Sequence, residues 1–377
     1  MGVTTIRDKT FHDQRRKIWT QAFSEKALRV YEGQMIDHAE KLQSLIDAAA
    51  KKGEAVNFSS LAYWFSFDVM GMFALSQSFN MLHNQKWHYA VDNLRRAMSI
   101  LGPLSPVPWL AQIGFKYLHG YWKIAEWHTM INWCRDRMKE RVDHDNEGTN
   151  IASYLIADAR KRDSLESDKH LLAGEAIVAI VAGSDTVAPT LVFLFYQLAK
   201  DPILADQLFA ELKGVSDICN VRALEHLPFL NAVINETLRF HPAVPTGGYR
   251  DAPPGGMTIA GRYIPGGTTI VAPRYTIFRS EDAYERPGEF LPQRWYKQPE
   301  LVKDGRSFLP FAQGRYTCLG KSLALAELRT VTSILVSKFH VNFAPGLNVA
   351  AVEENLQDQF TACPGELKLA FTPRSVQ

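Results

Sequence analysis

The chain has little cysteine: four in 377 residues, Cys134, Cys219, Cys318 and Cys363, with no CxxC pair among them. Such wide spacing excludes a disulfide framework and a clustered zinc site, and it suits a reducing compartment. Neither sign of charge dominates. Forty-two Lys+Arg stand against 40 Asp+Glu, net +2, and no basic block is present, which argues against nucleic acid as the main ligand. No Ser/Gly-rich linker, charge run or repeat divides the sequence, so residues 1–377 read as one domain. The opening MGVTTIRDKTFHDQRRKIW lacks the apolar core of a secretion signal, and Ile6 breaks the acylation pattern that Gly2 would begin. One run, AIVAIVAGSDTVAPTLVFLFYQLA, is long enough for a bilayer, but Ser184, Asp185, Thr186 and Pro189 sit near its centre. It reads as a buried core helix, and no membrane span is expected.

Apolar residues make up 46% of the chain, enough for a large core. Their spacing predicts helices over 13–23, 31–50, 61–75, 121–142, 171–200, 202–213, 227–240 and 319–338. The texture changes after His241. Short β-favouring pieces alternate there with Gly/Pro turns, MTIAGRYIPGGTTIVAP looks like a hairpin, and HVNFAP and ELKLAFTP read as late strands. The class is mainly α with a small β region.

Four places carry chemistry. Cys318 lies between the loop FLPFAQGRYT and the helix LGKSLALAELRTV, where helix N–H groups and the helix dipole favour a thiolate, the form that ligates metal. On its own it is only a well-placed cysteine. Glu236 and Arg239 of ETLR share a helical face and can pair; exposed, such a pair contributes little. AGSDT, with Pro189 three residues on, weakens its helix, because proline removes a backbone hydrogen bond and Thr186 can bond back to the preceding turn. HDQRRKIWTQAFS is a basic helix near the N-terminus.

Together these resemble the cytochrome P450 family over nearly the whole chain. Phe311, Gly314, Cys318 and Gly320 match its F-x-x-G-x-R-x-C-x-G signature in type and spacing; Tyr316 stands where the family usually has arginine, with Arg315 one place early. The resemblance implies haem b ligated by the Cys318 sulfur. It implies propionate contacts from His12, Arg16, Arg250 and Tyr316, and a buried network of Glu236, Arg239 and Arg294 fixing the loop that presents Cys318. Asp185 and Thr186 would order water and deliver protons on the distal side, Asp185 relaying them from bulk solvent. A pocket drawn from 177–184, 243–248, SILGPLSPVPWL (99–110) and 360–363, mostly apolar, implies a hydrophobic small-molecule substrate. The implied activity is monooxygenation, with electrons from NADPH through a separate NADPH–cytochrome P450 reductase. The motif style is similar to that of fungal members that tailor terpenoids, alkaloids or polyketides.

The family's place is the endoplasmic reticulum surface, but with no anchor or signal in the sequence a cytoplasmic or peripheral protein is equally open. Against the family the chain is shortened at its N-terminus, without the anchor and the first strands and helices. The alternative is therefore a haem-binding but catalytically impaired protein. GRYTCLGKS misses the phosphate-loop spacing by one residue. Relatives that rearrange peroxides fit less well, because the acid and alcohol of AGSDT suit oxygen activation.

Overall fold

The computed structural model describes residues 2–104, 107–118, 122–143 and 150–374. Among these, eleven helices have ten residues or more. They are α1 Lys9–Ala22, α2 Glu25–Lys51, α3 Phe58–Leu75, α4 Tyr89–Met98, α5 Pro108–Tyr117, α6 Trp122–Asp143, α7 Ile151–Lys161, α8 Leu165–Lys200, α9 Pro202–Leu212, α10 Pro228–Phe240 and α11 Lys321–Lys338. Tyr121, where periodicity begins α6, lies outside the described residues, as do Ser105 and Pro106 of the expected substrate loop. Local chemistry explains several starts. Asp8 accepts from the Phe11 N–H at 2.7 Å, Asn57 from Ser60 at 2.9 Å, and Asp201 caps a helix with proline in its first turn. Ser76 ends α3 in the left-handed region, at φ 55°.

The strands are short: β1 Val56–Asn57, β2 Arg250–Asp251, β3 Met257–Ile259, β4 Arg262–Ile264, β5 Thr269–Ile270, β6 Phe339–Phe343, β7 Gln357–Gln359, β8 Thr361–Cys363 and β9 Lys368–Pro373. The late strands β6 and β9 pair antiparallel, with β1 on the other edge of β9. The expected hairpin is smaller than its sequence suggests. β3 and β4 pair across Ala260 and Gly261, both at positive φ (49° and 77°), whereas Thr269–Ile270 leaves to pair with β2. Nearly every residue of β2 to β5 is exposed.

One continuous cluster of buried apolar side chains runs from Val3 to Phe371. Its axis is α8, 36 residues long, which packs most extensively against α3. Both helices are long and apolar enough to cross a membrane, yet 78% of the apolar window in α3 and 67% of that in α8 lie buried inside the fold. Burial among other helices accounts for their composition.

Candidate active site

The chain reaches Cys318 through a strained approach. Ala312 and Gly314 have φ of 55° and 68°; at Gly314 only glycine adopts that conformation without steric cost. The Cys318 N–H then donates to the Phe311 carbonyl at 2.8 Å, closing the loop, and α11 begins at Lys321, two residues later than periodicity suggests. Cys318 is exposed, although surrounding protein crowds its sulfur. Burial pushes the thiol above its ordinary value, against the lowering pull of the Gly320 and Lys321 N–H groups and of Arg16 and Arg274. The helix start therefore helps a thiolate, as its position implied, but does not by itself produce one.

Cations gather around this loop. Arg16 donates to the Thr317 carbonyl at 2.6 Å. His12, buried, lies 3.2 Å from Asp13 and 5.1 Å, ring to ring, from Tyr316. The Arg250 guanidinium carbon lies 4.8 Å from the centroid of the same ring. Tyr316 thus has the imidazole of His12 and the guanidinium of Arg250 near its ring, and Arg250 supplies there the charge that its own position lacks. The sequence reading passed over Arg274. It is half-buried, its guanidinium makes no hydrogen bond among the described residues, and it feels Arg250 and the Cys318 sulfur. Among the described residues Arg250 has no carboxylate partner either, its guanidinium donating only to the Tyr249 carbonyl. Two arginines held together without an anion make a site that a dicarboxylate would neutralise. A haem fits this set of groups, with one sulfur for the iron and several cations for its propionates.

α1, which carries His12 and Arg16, is fixed by its neighbour Arg15. That side chain is 1% exposed and bonds Glu175 of α8 through Nε at 3.0 Å and through Nη2, and Asp158 of α7 at 3.0 Å. Trp19 adds a donor to Glu175 at 3.2 Å. No sequence signal marks this network, because its partners lie 143 and 160 residues apart.

Glu236, Arg239 and Arg294 meet, all essentially unexposed. Arg239 grips Glu236 with two bonds of 2.9 and 2.8 Å, and Arg294 reaches the same carboxylate at 3.1 Å. The Leu291 N–H and the Trp295 indole complete it at 2.7 and 2.8 Å. The remaining guanidinium donors bind the carbonyls of Phe278, Pro287, Glu289, Glu285 and Leu301. The two guanidinium groups share one carboxylate, and backbone carbonyls take the remaining donors, so the buried polar groups are partnered, as burial requires.

In the middle of α8, Pro189 leaves the Asp185 carbonyl without its helical donor, and Thr186 Oγ1 bonds back to the Ala182 carbonyl at 2.8 Å. Ala182 is exposed although most of the helix after it is buried. Gly183 admits Met70 of α3, whose sulfur lies 2.5 Å from where a Cβ would sit. Asp185 does not open to bulk solvent as expected. It is 8% exposed, and its carboxyl receives the hydroxyl of Thr361 from β8. Burial raises its pKa to about 6, while Thr361 and Arg95 pull it down.

The sequence profile of the Cytochrome P450 family matches residues 2–371. Among similar curated proteins, tryprostatin B 6-hydroxylase of Aspergillus fumigatus is 36% identical over 92% of this chain, and a cytochrome P450 monooxygenase of Eupenicillium brefeldianum is 34% identical over all of it. The chain spans 62% of the first protein's length and 76% of the second's. The crystal structure of the cytochrome P450DA heme domain superposes with a TM-score of 0.79 at 20% identity, covering 95% of this chain and 76% of that one. That likeness concerns the fold alone. These matches do not favour the alternative of an impaired protein.

Proposed function

The chain belongs to the cytochrome P450 family, and from that premise we propose that it is a haem-thiolate monooxygenase acting on a hydrophobic small molecule of fungal secondary metabolism, a terpenoid, alkaloid or polyketide. The observation that carries this reading is the environment of Cys318: an exposed cysteine near Arg250 and Arg274, whose guanidinium groups have no anionic partner among the described residues. The named monooxygenases among its relatives support it.

When bound, haem b held by the Cys318 thiolate supplies the oxygen chemistry, with electrons from NADPH delivered by a separate reductase at the endoplasmic reticulum surface. The chain's own residues do the rest. Phe311, Gly314 and Gly320 shape the loop that aims the sulfur. Arg16, Arg250 and Arg274 would neutralise the propionates, and His12 and Tyr316 would offer them further hydrogen bonds. Thr186 and Asp185 hold water and protons in the loosened turn of α8. Glu236, Arg239 and Arg294 keep the segment before the cysteine loop rigid. The expected substrate segments, with Phe360 at the hairpin tip, would exclude water and orient the substrate.

The test is a carbon monoxide difference spectrum of the reduced, haem-loaded chain. A strongly red-shifted Soret band is expected for thiolate ligation, and Cys318→Ser should abolish it. A wild-type chain that takes up no haem, or a serine variant with an unchanged band, would refute the assignment.

A further inference from the structure

Asp185 and Thr186 are adjacent in sequence but take different partners. Thr186 bonds within its own helix, whereas Asp185 is held from outside by Thr361, 176 residues away. The groups facing that carboxyl come from three elements: Tyr63 of α3, Arg95 of α4, and Thr361 with Cys363 of β8. Thr361 and Cys363 lie two residues apart on a strand and so project to one side. One meets Asp185 and the other meets the Tyr63 hydroxyl. The hairpin β7–β8 is also fixed at its far edge. Asp358 accepts from the Thr246 hydroxyl and from the Phe360 N–H, and the Ala362 N–H donates to the Ala243 carbonyl at 2.9 Å. At its turn Phe360, with φ 73°, is 48% exposed.

We propose that Thr361 is a positioning residue for Asp185: its hydroxyl holds the carboxyl in one orientation and ties the hairpin β7–β8 to the weakened turn of α8. Its bearing on catalysis rests on the function proposed above; the tie itself does not. The hairpin that presents Phe360 and the acid in α8 then move as one unit. A hydroxyl that donates to a carboxylate favours the ionised form. Removing it leaves Asp185 buried with Arg95 as its remaining stabilising charge.

The experiment compares wild type with Thr361→Val and Thr361→Ser in the full chain. The protonated carboxyl of Asp185 is followed by its infrared C=O stretch, identified by its loss in Asp185→Asn. Titration is expected near 6 in wild type, about one unit higher in the valine variant after loss of a charge-assisted hydrogen bond, and back at the wild-type midpoint in the serine variant. Amides of 357–363 should exchange about tenfold faster in the valine variant and at the wild-type rate in the serine variant. A valine variant whose midpoint stays put, or whose hairpin exchanges no faster, overturns the proposal. Carbon monoxide spectra of the same samples keep the two ideas apart. A wild type without haem would sink the monooxygenase reading, while the midpoint comparison, which needs no haem, still decides Thr361.

Discussion

Replacing Glu175 by leucine strands the Arg15 guanidinium in the core. The carboxylate is fully buried and accepts three donors, two from Arg15 and one from the Trp19 indole; after its loss Arg15 keeps, among the described residues, only Asp158, which is partly exposed. Breaking a buried pair from one side costs about 3–5 kcal/mol, mostly because a desolvated charge remains unpaired. For a chain of this length that corresponds to roughly 5 °C in Tm. The double variant Arg15→Met/Glu175→Leu removes both charges and leaves apolar bulk in their place, so it should recover at least half of the loss. Urea unfolding at pH 7 of wild type, both single variants and the double variant measures the coupling. If the double variant is as unstable as the sum of the two single ones, the groups are not coupled and this account of how α1 is anchored is wrong.

A second expectation concerns Glu327 in α11, fully buried, with its Oε2 lacking any hydrogen-bond partner among the described residues. Burial raises its pKa well above 4.5, so the folded state holds a neutral acid. Stability tied to this group is complete below the unfolded value of 4.5 and is lost as pH rises from there toward the folded value. Glu327→Gln should therefore match wild type in urea near pH 4 and exceed it near pH 7; equal midpoints at both would refute the buried-acid reading. A third concerns Arg274→Ala, which leaves the Cys318 loop intact but removes a cation beside it. Haem transfer to an excess of apomyoglobin should be several-fold faster than from wild type, and an unchanged rate would exclude Arg274 from propionate binding.

Helix content was legible because long amphipathic or apolar runs repeat at helical spacing, and the motif around Cys318 was legible because its chemistry is local. α4, α5 and α7 escaped, being short helices of only ten or eleven residues. The hairpin β7–β8 escaped for the same reason: three-residue strands give no period. At the site, Glu236 and Arg239 were visible as neighbours on one turn, and Arg294 came with the family pattern. Arg15 and Glu175 were not visible, because a pair formed across 160 residues leaves no trace in either local sequence. Arg274 hid among ordinary surface-type arginines, since what sets it apart is the absence of an anion beside it. The thiol of Cys318 shows the limit of motif reasoning: position near a helix start gave the sign of one influence, whereas burial, set by the rest of the chain, outweighed it.

The length of α8 has a geometrical consequence. Along one rod of about 54 Å it carries Glu175, which anchors α1; Asp185, which meets the hairpin; and Gln197, whose amide lies 2.9 Å from the buried His241 ring. These three outlets are indexed to one another as teeth on a shaft. Adding or deleting a single residue between any two would rotate one against the other by about 100°, turning at least one of them away from its partner. This helix can accept changes of side chain along much of its surface, but its count of residues from Glu175 to Gln197 is locked.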